Sequence, residues 1–257
     1  MRAVDLGLAG RVYVVSGGSR GLGRAAAEVL VAEGSRVVLS ARDETAVERA
    51  AQELGGPAHA VGVVADIADA AGAQRLVEGA HSAYGGLDGA LVSVGGPTPG
   101  TAMDTDENAW RAAFDSIYLG TLRLTRRVVG ALGDEGGSIA WVLSSSVRCP
   151  VPGLAISNGL RPGLAGLAKT FADELGPRGI RVNGLLPGRI ATDRTVELDA
   201  ATGDPAAARE RNIAGIPLRR YGEPVEFGRI AAFVLSPAAS YLTGSMIPVD
   251  GGMMRAW

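Results

Sequence analysis

Cysteine is almost absent. Cys149 is the only one in 257 residues, which excludes an intramolecular disulfide and a cysteine-rich metal site. Histidine is nearly as scarce, and His59 and His81 leave little from which to build a zinc site or a histidine-containing triad. Lysine occurs once, at Lys169, and every other basic residue is arginine. No 18-residue apolar run is available to cross a membrane. Asp5 interrupts the opening MRAVDLGLAGR where a signal peptide needs its apolar centre. With 25 basic against 27 acidic residues and a formal charge of -2, no basic block marks a nucleic-acid surface. What remains is the expectation of a soluble, cytoplasmic protein that handles a small molecule, with no metal, nucleic-acid or membrane partner.

Glycine, by contrast, is plentiful: 38 residues, about twice the usual 7% share. Short β-rich runs at 11–16, 36–40, 59–65, 88–93, 138–144, 180–186 and 246–249 alternate with stretches of helical periodicity near 22–33, 44–54, 69–83, 106–132, 157–175 and 224–236. That alternation is the signature of βαβ units on a parallel sheet. It runs unbroken from Val12 to Val249, so residues 1–257 read as a single α/β domain without linker or repeat. A chain of this length buries roughly three quarters of its unfolded surface and needs no covalent staple. Residues 189–215 break the rhythm and read as a long variable loop, either a mobile substrate lid or a merely solvated loop.

Between the first strand and its helix lies Ser16-Gly17-Gly18-Ser19-Arg20-Gly21-Leu22-Gly23. Glycines there let the backbone turn tightly against a pyrophosphate, whose charge sits on the helix N-terminal amides. The GxxxGxG spacing resembles the short-chain dehydrogenase/reductase family, and the likeness continues along nearly the whole chain. Asp66-Ile67 follows the third strand. After the fourth strand, where the family carries Asn-Asn-Ala-Gly, this chain departs and reads Ser93-Val94-Gly95-Gly96. Asn183 and Pro187-Gly188-Arg189-Ile190-Ala191-Thr192 match the nicotinamide-side loop, and Thr243-Gly244 with Val249-Asp250-Gly251-Gly252 match the last third. In detail the chain looks most like the β-ketoacyl-carrier-protein reductase branch. The resemblance implies a Rossmann fold with a seven-stranded, doubly wound parallel sheet. It also implies a homodimer or homotetramer formed through helices 106–132 and 157–175, with Arg123, Arg126 and Arg127 at the rim. The cofactor-binding set it implies is Ser16, Gly17, Ser19, Arg20, Gly21, Leu22, Gly23, Ala41, Arg42, Asp66, Ile67, Val94, Gly95, Pro187, Gly188, Ile190 and Thr192. Family members that use NAD carry an acid after strand two, where this chain has Ala41 followed by Arg42. A missing carboxylate beside an arginine suits a 2′-phosphate, so NADP(H) is the expected cofactor.

The catalytic positions depart from the family. Its proton donor is a tyrosine four residues before a lysine on one helix, supported by a serine at the end of strand five and an asparagine on the preceding long helix. Placing Gly153–Leu160 on that helix puts Ile156 at the tyrosine position and Leu160 at the lysine position, and Ile117 takes the asparagine position. Only Ser144, beside Ser145 and Ser146, survives. Lys169 lies about 900° of helix beyond Leu160, on the opposite face, and cannot substitute. Arg161 is a poor acid. Tyr118 and Tyr221 are the tyrosines nearest the cleft by resemblance and read as packing residues. Pro162 is expected to kink the first turn or to move the helix start to about 162. Three functions follow from this pattern: an NADP(H)-dependent oxidoreductase with unusual proton handling, a nucleotide-binding homologue retired from catalysis, or a redox-neutral isomerase or cyclase using an aliphatic pocket of Ile117, Ile156 and Leu160.

Overall fold

Seven strands, each short and apolar, make up the centre of the molecule: β1 Val12–Ser16, β2 Arg36–Ala41, β3 Ala60–Val64, β4 Gly89–Val92, β5 Gly137–Val142, β6 Ile180–Pro187 and β7 Met246–Val249. The computed structural model describes residues 5–255. All seven strands pair in parallel, in the order β3-β2-β1-β4-β5-β6-β7. A parallel sheet is covered on both faces, which is why β1 and β4 are apolar and buried without alternation. One face packs on helices α1 Gly21–Ala32, α2 Glu44–Glu53 and α9 Pro224–Leu235, around Leu30, Leu39 and Phe227. The other packs on α3 Ala70–Tyr84, α4 Glu107–Ala113, α5 Gly120–Ala131 and α6 Ala155–Leu175. Trp141 is central to this second core: its indole N–H donates to the Thr125 hydroxyl at 3.1 Å, and the Phe171 ring meets it edge-on.

The chain runs outward from β1 to β3, returns to the middle, and runs outward again from β4 to β7. The order therefore reverses between β1 and β4, and a crevice opens beyond their C-terminal ends. The Ser16 hydroxyl couples the two strand ends there, donating to the Ser93 carbonyl and accepting from the Ser93 amide, both at 2.9 Å.

Three helical expectations change. The stretch 106–132 is α4, one wide π-helical turn at Phe114–Leu119, and α5. Hydroxyls take carbonyls along this stretch: Ser116 donates to Ala112 at 2.9 Å and Thr121 to Ile117 at 2.6 Å. α6 neither starts near 162 nor breaks at Pro162, which lies inside it. Its beginning is pinned from outside: the Ala155 amide donates to the Gly100 carbonyl, and the Asn158 side chain makes two 2.9 Å bonds to the Val151 backbone. One missing amide at Pro162 is outweighed by the burial of Ile156, Leu164, Ala168 and Phe171 along the helix. The variable stretch 189–215 is not an irregular loop but holds α7 Asp193–Ala200 and α8 Pro205–Ala214.

The Trp141 site sets a stability prediction. Trp141→Ala removes the largest fully buried side chain and orphans the Thr125 hydroxyl, so urea unfolding is expected to show a loss of about 3–5 kcal/mol. A loss below about 1 kcal/mol contradicts this account of the second core.

Candidate active site

The cofactor residues expected from the sequence come from five separate segments. Ser16 ends β1, and Gly17 and Gly21 both take left-handed backbone angles, with φ of +60° and +59°. A Cβ at Gly17 would stand 2.9 Å from the Ser93 carbonyl oxygen, and one at Gly23 would run into the Gly17 carbonyl. The loop is therefore held against the sheet at a distance only glycine permits. Gly18 donates to the Ser40 carbonyl at 3.0 Å, Ser19 is half-buried, and Arg20 is exposed at the cap of α1. No side chain caps that helix and no acid sits in its first turn, so the amides of Gly21, Leu22 and Gly23 are left for an external anion. A dinucleotide's pyrophosphate fits this cradle.

Ala41 ends β2 and Arg42 follows it, exposed. Asp43 caps α2 by accepting from the Ala46 amide at 2.8 Å, which takes it out of contention as a ribose acid. Asp66 folds back to accept from the Ala68 amide at 2.9 Å, and Ile67 is buried beside it. Val94 and Gly95 lie after β4, and Pro187 and Gly188 close β6, with Gly188 donating to the Val249 carbonyl at 3.0 Å. Ile190 is buried and accepts from the Thr195 hydroxyl, and Thr192 stands at the residue before α7 without a capping bond from its side chain. Asn183 does not join the crevice. Fully buried, it donates to Leu242 at 2.8 Å and accepts from Ser245 at 3.0 Å, tying β6 to the chain leading into β7.

At the chemical end, Ser144 is half-buried after β5, and its hydroxyl accepts from the Ser146 amide at 3.1 Å. The structure does not bring Ile156, Leu160 and Ile117 to it. Ile156 and Ile117 are each 1% exposed inside the second core, and Leu160 packs on the same cluster. The face of α6 turned towards the strand-five serines carries Ser157 and Arg161 instead, one residue further along. The Ser157 hydroxyl pairs with that of Ser146 at 3.0 Å. Arg161 donates through Nη1 to the carbonyls of Val142 at 2.8 Å and Leu143 at 3.0 Å. It is only 5% exposed. Burial pushes its guanidinium down to about 10, with the charge of Arg194 adding to the effect. Every buried side-chain nitrogen and oxygen among the described residues has a partner. The remaining nitrogens of Arg161 bond nothing among the described residues.

Tyr118 stacks on Phe114 with ring centroids 5.2 Å apart, and its ring lies over Gly163. Lys169 is exposed, its stem across Gly244. Neither takes the place of the family's acid or cation.

α7 reaches across to the loop after β4, and α8 packs on α7. Arg194 extends from α7 over Gly96 and donates to the Pro97 carbonyl at 2.6 Å, bridging α7 to that loop. Behind it, buried Asp199 accepts from the Tyr221 hydroxyl at 2.9 Å and the Asn212 amide at 3.0 Å, with the Arg189 guanidinium at 3.4 Å. Burial and the Asp199 bond raise the Tyr221 phenol, so Tyr221 is a hydrogen-bond donor that ties the chain after α8 to α7. Asp204-Pro205 was the available sequence signal for α8: Asp204 accepts from the Ala207 amide at 3.0 Å and Pro205 fills the first helical position.

Residues 17–254 match the family model described as enoyl-(acyl carrier protein) reductase. The chain is 35% identical over 249 residues to the human dehydrogenase/reductase SDR family member 4, covering 95% of this chain and 88% of that protein. It is 35% identical over 254 residues to the 3-oxoacyl-[acyl-carrier-protein] reductase of Synechocystis, covering 96% and 98%. Among solved structures it is similar to the L-sorbose reductase of Gluconobacter frateurii complexed with NADPH and L-sorbose, with TM-score 0.92, 29% identity and 99% and 100% coverage. It is also similar to YwfH, an NADPH dependent reductase involved in bacilysin biosynthesis, with TM-score 0.91, 26% identity and 96% and 99% coverage.

Removing the Asp199 carboxylate leaves the Tyr221 hydroxyl without its acceptor, at about 1–3 kcal/mol for a buried group, and leaves the Asn212 amide only its 3.0 Å bond to the Tyr221 hydroxyl. Asp199→Ala should therefore speed hydrogen exchange in residues 193–214 while amides of β1 and β4 keep their protection. Unchanged exchange in α7 and α8 removes Asp199 from its role as their anchor.

Proposed function

Because the chain belongs to the short-chain dehydrogenase/reductase family of oxidoreductases, we propose that it is an NADP(H)-dependent reductase whose proton chemistry departs from the family's tyrosine–lysine scheme. The observation that carries the cofactor reading is the end of β2. No carboxylate stands there to accept bonds from a ribose 2′-hydroxyl. Arg42 and Arg20 are instead exposed, and neither side chain makes an ion pair among the described residues. Free guanidinium groups pair bidentately with phosphate. The relatives solved as NADPH complexes or named NADPH dependent point the same way.

When bound, the nicotinamide supplies the hydride to a substrate carbon. The chain's own groups must then deal with charge on the neighbouring oxygen. Ser157 and Arg161 are four apart on α6 and face the strand-five serines, so they take the places of the hydroxyl and the cation. Ser144 and Ser157 offer hydrogen bonds to that oxygen, and the Ser157–Ser146 contact fixes the direction of one of them. No phenol stands among them, and a serine hydroxyl does not release its proton near neutral pH without a base. A positioned general acid is worth about 10²–10⁴-fold, so the reaction that suits this site begins from an activated acceptor, such as a conjugated carbonyl, rather than a simple ketone.

Equilibrium titration of nicotinamide fluorescence tests the cofactor reading. NADPH is expected to bind at least tenfold more tightly than NADH, and Arg20→Ala with Arg42→Ala to bring the two within about threefold, as loss of charge-assisted phosphate contacts predicts. Tighter binding of NADH by the unaltered protein overturns it.

A further inference from the structure

α5 carries three arginines and no acid. Arg123, Arg126 and Arg127 fall three and four residues apart, so their side chains share one face of the helix, where like charges repel. The chain as a whole carries a formal charge of -2, so this positive face is not the overflow of a basic protein. With Ala70, the first residue of α3, the three arginines line a cavity of about 290 Å³, at the lower edge of small-molecule pockets. None of these four residues belongs to the expected cofactor set. The pyrophosphate cradle sits at the start of α1, which packs on the opposite face of the sheet from α3 and α5.

No acid among the described residues neutralises the cluster. Arg123 is half-buried and donates through Nη1 to the neutral Ala68 carbonyl at 2.6 Å. Arg126 and Arg127 are exposed, and neither makes a hydrogen bond or ion pair among the described residues. The two acids at and in α3 are engaged elsewhere: Asp69 accepts from the Ala71 amide at 3.1 Å and stands 3.8 Å from Arg75, and Glu78 accepts from Gln74 at 2.6 Å. A carboxylate presents its acceptors in one plane, to one guanidinium fork at a time. A phosphate monoester carries nearly two negative charges and three acceptor oxygens in a tetrahedral array, so several forks engage it together. We propose that Arg123, Arg126 and Arg127 form a second anion site, outside the nicotinamide crevice, that takes the phosphate group of a small molecule.

The full chain, saturated with NADPH so that the pyrophosphate cradle is filled, is titrated by calorimetry at physiological ionic strength. The probes are orthophosphate, inorganic pyrophosphate, phenyl phosphate and citrate. At least one phosphate compound should bind about tenfold or more tightly than citrate, whose charge is comparable but carried on carboxylates. Tighter binding of phenyl phosphate than of orthophosphate assigns the site to an organic ester, equal binding assigns it to the free ion, and both support the proposal. Arg126→Gln with Arg127→Gln, at exposed positions, should weaken phosphate binding about tenfold or more and leave NADPH affinity within about twofold. Arg123→Gln should weaken phosphate binding as well. Arg49→Gln with Arg229→Gln removes the same charge as the first pair from α2 and α9, on the opposite face of the sheet, and should leave phosphate binding within about twofold. The proposal is overturned if no phosphate compound binds, if citrate binds as tightly, if the Arg126 and Arg127 variant binds phosphate as the unaltered protein does, or if the Arg49 and Arg229 variant loses as much. Loss of assembly by that first variant in light scattering, with no phosphate bound by the unaltered protein, also overturns it and assigns the cluster to a contact between copies. Failure to bind NADPH defeats the cofactor reading instead, and the same two pairs of variants then separate the cluster from the cradle.

Discussion

A parallel sheet covered by helices on both faces has to reverse its strand order somewhere, and in this protein it does so between β1 and β4. The rest of the molecule is arranged around that reversal. It opens the crevice, aims the free amides of α1 into it, and leaves the ends of β4, β5 and β6 as its walls. The reciprocal bonds between the Ser16 hydroxyl and the Ser93 backbone hold the two central strand ends in register. Without that coupling the glycine loop and the loop after β4 would be free to separate, and Gly17, packed against the Ser93 carbonyl, would lose its seat.

The two ends of the crevice have different chemistry. The end at the start of α1 is built mostly from backbone: glycines, amides and a helix terminus, with Arg20 and Arg42 exposed at its edge. The chemical end is built from hydroxyls and one buried cation. Ser144, Ser146 and Ser157 give directional hydrogen bonds with no acid of useful pKa, while Arg161 gives positive charge in a place that water barely reaches. Electrostatic stabilisation of developing negative charge is strongest where water is excluded, and the bond from Tyr221 to Asp199 ties α7 to the chain that follows α8.

Much of this was legible in the sequence, for reasons that can be named. Apolar runs such as Val12–Val15 have no other use than a doubly covered strand, and the spacing of Gly17, Gly21 and Gly23 has a steric cause that the structure displays. Asp43 announced itself as a cap. The face of α6 was misread by one residue, which is 100° of rotation. Ile156 and Leu160 are an apolar pair at i, i+4, which is the ordinary mark of a core-facing stripe, and the core is where they lie. Ser157 and Arg161, a polar pair at the same spacing, carried the better signal for the crevice. Residues 193–214 looked irregular because their helices are short and polar. The π turn at Phe114–Leu119 has no mark in sequence beyond Ser116 and Thr121, whose hydroxyls take carbonyls along this stretch.

The central claim is that Ser157 and Arg161, not Ile156 and Leu160, face the reacting atoms. The most direct measurement is NADPH-dependent reduction of an acetoacetyl thioester by the unaltered protein and by two double variants, Ser157→Tyr with Arg161→Lys, and Ile156→Tyr with Leu160→Lys. The account predicts little activity in the unaltered protein and a gain of about 10²-fold or more in the first variant, the contribution of a positioned acid. It predicts no gain in the second, whose new groups would be forced into the core. Gain in the second variant without gain in the first, or robust ketone reduction by the unaltered protein, contradicts it.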